Sequence, residues 1–243
     1  MVVDQIIALS ASIGTFLSAF ATFLTVRQMI SQREVSYRPE FVISRTSFEG
    51  TKASIAKFSL WNYWLPIFDA ETEDKRPSMF FMPLLNVGLG AAKNISVAWS
   101  FPIESMVSQL NDLAQRTSTP ARFTLENDNL VIESASLGSG MSDWSNQQQD
   151  DLKYVLPIAA QREPVQLCFP LVFTQICSLL MFLHMKEKDP MPIPDIPIIK
   201  VRLEYLDIGD KHHVAVFDIK GKVTSIDGDG RILYGELESK KCT

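Results

Sequence analysis

The glycine pair in NVGLGAAKN, Gly88 and Gly90, is the arrangement nearest to a phosphate loop, because glycines behind a strand let backbone amides approach an anion. Such a loop also needs a third glycine or a following Lys-Ser/Thr, and a helix behind it. Both are missing here, and residues 95–101 alternate as a strand, so the pair reads as a tight turn between strands. His212 and His213 are adjacent, and adjacent strand residues face opposite sides, which rules out one shared metal. His184 stands alone in an apolar run and reads as a packed histidine. Asp227, Asp229 and Gly230 copy the start of a calcium loop, but no Glu occupies its twelfth position, so a β-turn explains them. No Ser-His-Asp, Cys-His or paired-carboxylate spacing is visible. No catalytic, cofactor-binding or metal residue is therefore assigned.

The totals narrow the class. A chain of 243 residues with 46% hydrophobic and 10% aromatic content carries a folded core. A net charge of −5 argues against nucleic-acid binding, which needs a basic surface to neutralise phosphates. Three widely spaced cysteines, Cys168, Cys177 and Cys242, give no disulfide framework and agree with a reducing compartment.

The positioning element is the opening run. Residues 5–26, QIIALSASIGTFLSAFATFLTV, hold no ionised side chain, and at about 1.5 Å per residue they span about 33 Å, the thickness of a bilayer's hydrocarbon layer. No Lys or Arg precedes the run, as a signal peptide would require. No basic stripe lies along it, as an interfacial helix would require. It reads as one transmembrane helix. Arg27, Arg33 and Arg38 follow it, while only Asp4 and the terminal amine precede it, so the amino terminus is expected outside and the rest in the cytoplasm. The same arginines sit where they would meet anionic headgroups. Ser10, Gly14, Ser18 and Thr22 recur every fourth residue, a small-residue face of the kind through which membrane helices self-associate.

Beyond the anchor the helix is expected to run on until Pro39. Residues 39–48 then read as a first strand with Gly50 at its turn. Trp61, Tyr63 and Trp64 open an aromatic-rich stretch; such rings fill the end of a β core or, when exposed, form a contact surface, and they are the candidate partner contact. Strands are expected at 84–87, 95–101, 154–158 and 165–169, with a short helix at 103–115. Residues 123–134 form a hairpin turned at Asn127-Asp128-Asn129, and 138–151 a polar loop. The apolar run 171–185 is too short to span a membrane and is expected as a helix buried against the strands. After an extended proline-rich linker at 189–197 comes the strongest hairpin, turned at Gly209-Asp210. Val201, Leu203 and Tyr205 share one face of it, and Val214, Val216 and Phe217 supply apolar surface on the return.

The segment NVGLGAAKNISVAWSF, with the later KVRLEYLDIGDKHHVAVFDI, resembles bacterial single-pass membrane proteins that carry a cytoplasmic immunoglobulin-like β-sandwich, a group without an established activity. The resemblance implies a mainly β fold: a transmembrane and juxtamembrane helix over residues 1–38, then a cytoplasmic sandwich with helical insertions over 39–243. The functional expectation is a non-enzymatic binding module on the cytoplasmic face of a bacterial inner membrane. Its expected partners are the lipid bilayer, an unidentified protein and further copies through the helix, with no cofactor. The alternative is a membrane-acting effector of a bacterial defence system whose anchors cluster on a trigger.

Overall fold

The computed structural model describes residues 2–51, 63–66, 80–135, 137, 139–161, 163–187, 195–227 and 232–242. The fold is mainly β, with three α-helices among the described residues. Helix α1 runs unbroken over Val2–Ser36. It ends as expected ahead of Pro39, whose ring disfavours helical geometry in the residue before it. Over Ser12–Arg33 none of it is buried, so it is no core helix of the head. Thr22 and Thr25 donate their hydroxyls to the carbonyls of Ser18 and Ala21, both at 2.9 Å, leaving few polar groups for the surroundings to satisfy.

The strands are β1 Phe41–Ile43, β2 Thr46–Thr51, β3 Tyr63–Pro66, β4 Phe81–Asn86, β5 Ala92–Ser100, β6 Ala121–Glu126, β7 Asn129–Ser134, β8 Gly140–Asp143, β9 Gln149–Val155, β10 Val165–Cys168, β11 Ile196–Asp207, β12 His212–Ile226 and β13 Leu233–Cys242. Seven of them form one antiparallel sheet in the order β3-β2-β13-β12-β11-β5-β9. A second sheet, β1-β4-β10, lays its buried face over the inner face of the first, and β6-β7-β8 form a third. The bond between layers is aromatic. Phe41 meets Tyr205 edge-on at 4.7 Å, Trp99 meets Phe169 at 5.3 Å, and Phe48 meets Phe80 at 6.1 Å.

An immunoglobulin-like sandwich is not established: the large sheet is a curled half-barrel. Its long strands carry register shifts between Ile196 and Ile199, Glu204 and Leu206, and Val223 and Ser225, and bulges of this kind increase local twist and bend a sheet.

Helix α2 (Ile103–Arg116) buries the stripe Met106, Val107, Leu110, Leu113 and Ala114, and helix α3 (Leu171–His184) is buried at ten positions, including Phe173, Ile176 and Leu180. The second apolar run thus fills the core, as its length implied. The hairpin β6–β7 turns at Asn127-Asp128, both at positive φ, the geometry of the two-residue turns that match strand twist.

Four expectations need correction. Residues 39–50 form two strands in different sheets, parted at Ser44-Arg45, and Gly50 lies within β2. Residues 138–151 are largely ordered as β8, a short 3-10 turn around buried Trp144, and the start of β9. The strand expected to reach residue 158 ends at Val155. On β12 the inward residues are His213, Ala215, Phe217 and Ile219, so Val214 and Val216 lie on the other phase of the pleat.

Candidate functional site: the junction between the first helix and the head

The last turn of α1 closes with the Tyr37 amide on the Arg33 carbonyl at 2.9 Å, and residues 37–40 then run into the head. There they meet the connection between β4 and β5, which passes from one sheet to the other. The glycines of that connection are the contact surface. A Cβ on Gly90 would stand 1.6 Å from the Tyr37 carbonyl oxygen, and one on Gly88 would stand 2.3 Å from that of Arg38. Both obstacles are backbone atoms, which cannot swing aside, so only glycine admits the linker.

Asn86, 1% exposed, completes the clamp. Its Oδ1 accepts the Glu40 amide at 3.0 Å and the Gly88 amide at 3.1 Å. Its Nδ2 donates to the Gly90 carbonyl at 2.7 Å and to the Val155 carbonyl at 3.4 Å. The backbone adds Val87 N–H to the Glu40 carbonyl at 2.8 Å. From the large sheet, the Tyr205 hydroxyl donates to the buried Pro39 carbonyl at 3.3 Å, and Lys241 pairs with the Glu40 carboxylate. Each neutral bond contributes about 1 kcal/mol net, but the buried polar atoms it satisfies would cost more if left open.

Tyr205 is itself braced. Its ring stacks on His213 at 5.4 Å, and His213 Nε2 lies 2.8 Å from Asp207 Oδ2. Asp207 Oδ1 accepts the amides of Gly209 and Lys211 at 2.8 and 3.0 Å, closing the β11–β12 turn. Burial alone would raise the Asp207 carboxyl, but the His213 and backbone hydrogen bonds outweigh it and hold it below the ordinary carboxylate value. His213 is thus a core brace. His212, on the opposite face, is exposed and lies 3.4 Å from Glu204, so the two histidines stand apart as their spacing required.

The other singled-out residues fall elsewhere. His184 Nδ1 lies 2.9 Å from Glu187, which also pairs with Arg116 at 3.1 Å, beside a cavity of about 190 Å³ between α2 and α3. Burial pushes the Cys177 thiol on that cavity's floor well above its ordinary value, the opposite of an activated nucleophile. Among the described residues no group of three His, Cys, Asp or Glu side chains is placed to hold a metal. Asp227 Oδ1 accepts the Ile232 amide at 3.0 Å, while Asp229 and Gly230 lie outside the described residues.

On α1, a Cβ added at Gly14 would meet nothing within 4 Å, so that face is open, with Ser18 and Thr22 tied to one another and the Ser10 side chain outside the described part. Of the aromatic trio, Trp61 and the Tyr63 side chain lie outside the described residues. Trp64 is no surface contact. It is buried, stacks on Phe48 at 4.0 Å and donates Nε1–H to Ser178 Oγ at 3.1 Å. The residues that sequence reading missed are Asn86 and Tyr205; the available signal was a polar Asn at a strand end directly before Gly-x-Gly. The chain matches no family model, no curated protein and no solved structure.

Proposed function

We propose that this chain is a membrane-anchored, non-enzymatic interaction module whose head is held in a fixed attitude to its anchor. The observation that carries the reading is the clamp itself: an apolar helix with no burial over Ser12–Arg33 passes straight into a linker gripped by Asn86, Gly88 and Gly90. A flexible tether needs no such fit, whereas a module that presents one face to a partner at a set height does. The arginines at 27, 33 and 38 favour an inner-membrane location with the head in the cytoplasm and the amino terminus outside. The facing of β1-β4-β10 against the large sheet is the feature that speaks for a sandwich of immunoglobulin type.

The test is fractionation of the full-length protein, with a reporter at its carboxyl terminus, followed by cross-linking in intact membranes. Retention after an alkaline wash, a cytoplasmic signal and a reproducible cross-linked protein are expected. Release into the soluble fraction, or a reporter active only outside, overturns the reading.

A second reading, a defence effector whose anchors cluster and perturb the bilayer, draws on the open face at Gly14. It predicts that expression collapses the membrane potential and that Gly14→Leu abolishes the collapse.

A further inference from the structure

Outside α1, twelve described large apolar side chains are exposed, and six of them gather at the end of the head where the anchor leaves: Tyr37, Val87, Leu89, Leu156, Ile158 and Ile208. They come from three separate connections and the linker. The β4–β5 connection touches the linker through Gly88 and Gly90. The segment after β9 is joined to it where the Ile158 amide donates to the Asn86 carbonyl at 2.8 Å. The β11–β12 turn is joined through Lys93 and Asp210 at 2.7 Å. Leu89 and Ile208 are 64% and 60% exposed, values that isolated surface residues show singly but seldom in a cluster.

We infer that this ring seats the head on the bilayer, with its side chains in the headgroup zone around the point where α1 emerges. The inference rests on the membrane reading of α1 and deepens it. Because α1 is unbroken to Ser36 and the linker is clamped, this end of the head is the one that faces the lipid, at a height set by the helix. Each headgroup zone is roughly 5–7 Å thick. From Ile30 to Tyr37 the helix rises about 10 Å, and a Leu or Ile side chain reaches about 5 Å further. Contact therefore places the hydrocarbon boundary near Ile30, three or four residues beyond the end expected from the absence of charge. Exposed Met29 and Ile30 are then covered, Arg33 lies among the phosphates, and Arg27, about 5 Å inside, extends its guanidinium to the interface. A roughly 20-residue span ending there starts near residue 11.

The experiment uses the full-length protein in phosphatidylethanolamine–phosphatidylglycerol vesicles, in a Cys168→Ser/Cys242→Ser background. An environment-sensitive fluorophore is attached to Leu89→Cys, Ile208→Cys, Met141→Cys or Phe20→Cys, and brominated lipids serve as depth-graded quenchers. Probes at 89 and 208 should shift to the blue and be quenched most by bromine near the headgroup, while the probe at 141, on β8, stays in water. If 89 and 208 behave like 141 while position 20 is quenched, the seat is overturned and the anchor stands. If position 20 is also unquenched, the anchor reading fails with it. A blue shift at 89 and 208 without lipid quenching assigns the ring to a second copy and overturns the lipid seat.

Discussion

The Asn86 side-chain oxygen accepts the Glu40 amide at 3.0 Å, joining the end of β4 to a linker 46 residues earlier in the chain. One carboxamide thereby serves both sides of a junction, since its nitrogen holds the Gly90 and Val155 carbonyls. The consequence is mechanical: any rotation of α1 about its end must strain this buried network or break it.

Asn86→Ala removes four hydrogen bonds and leaves buried amides and carbonyls without partners. We expect a loss of about 2–4 kcal/mol in unfolding free energy, with chymotrypsin gaining access to the Tyr37–Arg38 bond of the linker. Denaturant unfolding in detergent, together with limited proteolysis, measures both. An Asn86→Ala protein as stable and as protease-resistant as the parent would refute the clamp.

Gly90→Ala tests the steric half of the junction. Its Cβ would land on the Tyr37 carbonyl, so either the linker or the loop must shift, at about 1–3 kcal/mol. Spin labels on the end of α1 and on β13 should report a broadened distance distribution, whereas Leu89→Ala, at an exposed neighbour, leaves it narrow.

Much of this fold is legible in the sequence because its signals are local. The uncharged opening run, the stripe of α2, and the Asn127-Asp128 turn are set by residues within one or two turns of each other. The phase of β12 was not legible. His213 reads as polar, yet it is the inward residue because Asp207 and Tyr205 receive it, and that shifts Val214 and Val216 to the outer phase. The glycine pair was readable as a turn but not as a clamp, since what demands glycine is the backbone of residues 37 and 38, some 50 residues away. Trp64 was ambiguous for a similar reason: only the approach of α3 supplies Ser178 and removes the ring from the surface.

Trp64 should behave as a core residue in mutation. Trp64→Ala is expected to cost about 3–5 kcal/mol, and Ser178→Ala, which strands the indole N–H, about 1–3 kcal/mol. Thermal unfolding of the two variants checks the pair. A Trp64→Ala variant that kept its melting temperature while losing a cross-linked partner would return this side chain to the surface.

Acid should loosen the β11–β12 turn through Asp207. Its folded carboxyl titrates below the unfolded value of about 3.9, because His213 and two backbone amides favour the ionised form more than burial opposes it. A depressed carboxyl contributes stability that is complete above the unfolded value and disappears as pH falls through the folded one. The unfolding free energy is therefore expected to be level with respect to this group near neutrality and to decline below about pH 4. Asp207→Asn keeps an oxygen for the Gly209 and Lys211 amides but has no charge to titrate, so it should be less stable at neutral pH and converge with the parent in acid. Melting temperatures of both proteins, measured from about pH 2 to 7, decide the matter. Parallel curves across that whole range would mean that the Asp207–His213 contact, and with it the brace behind Tyr205, does not depend on an ionised carboxylate.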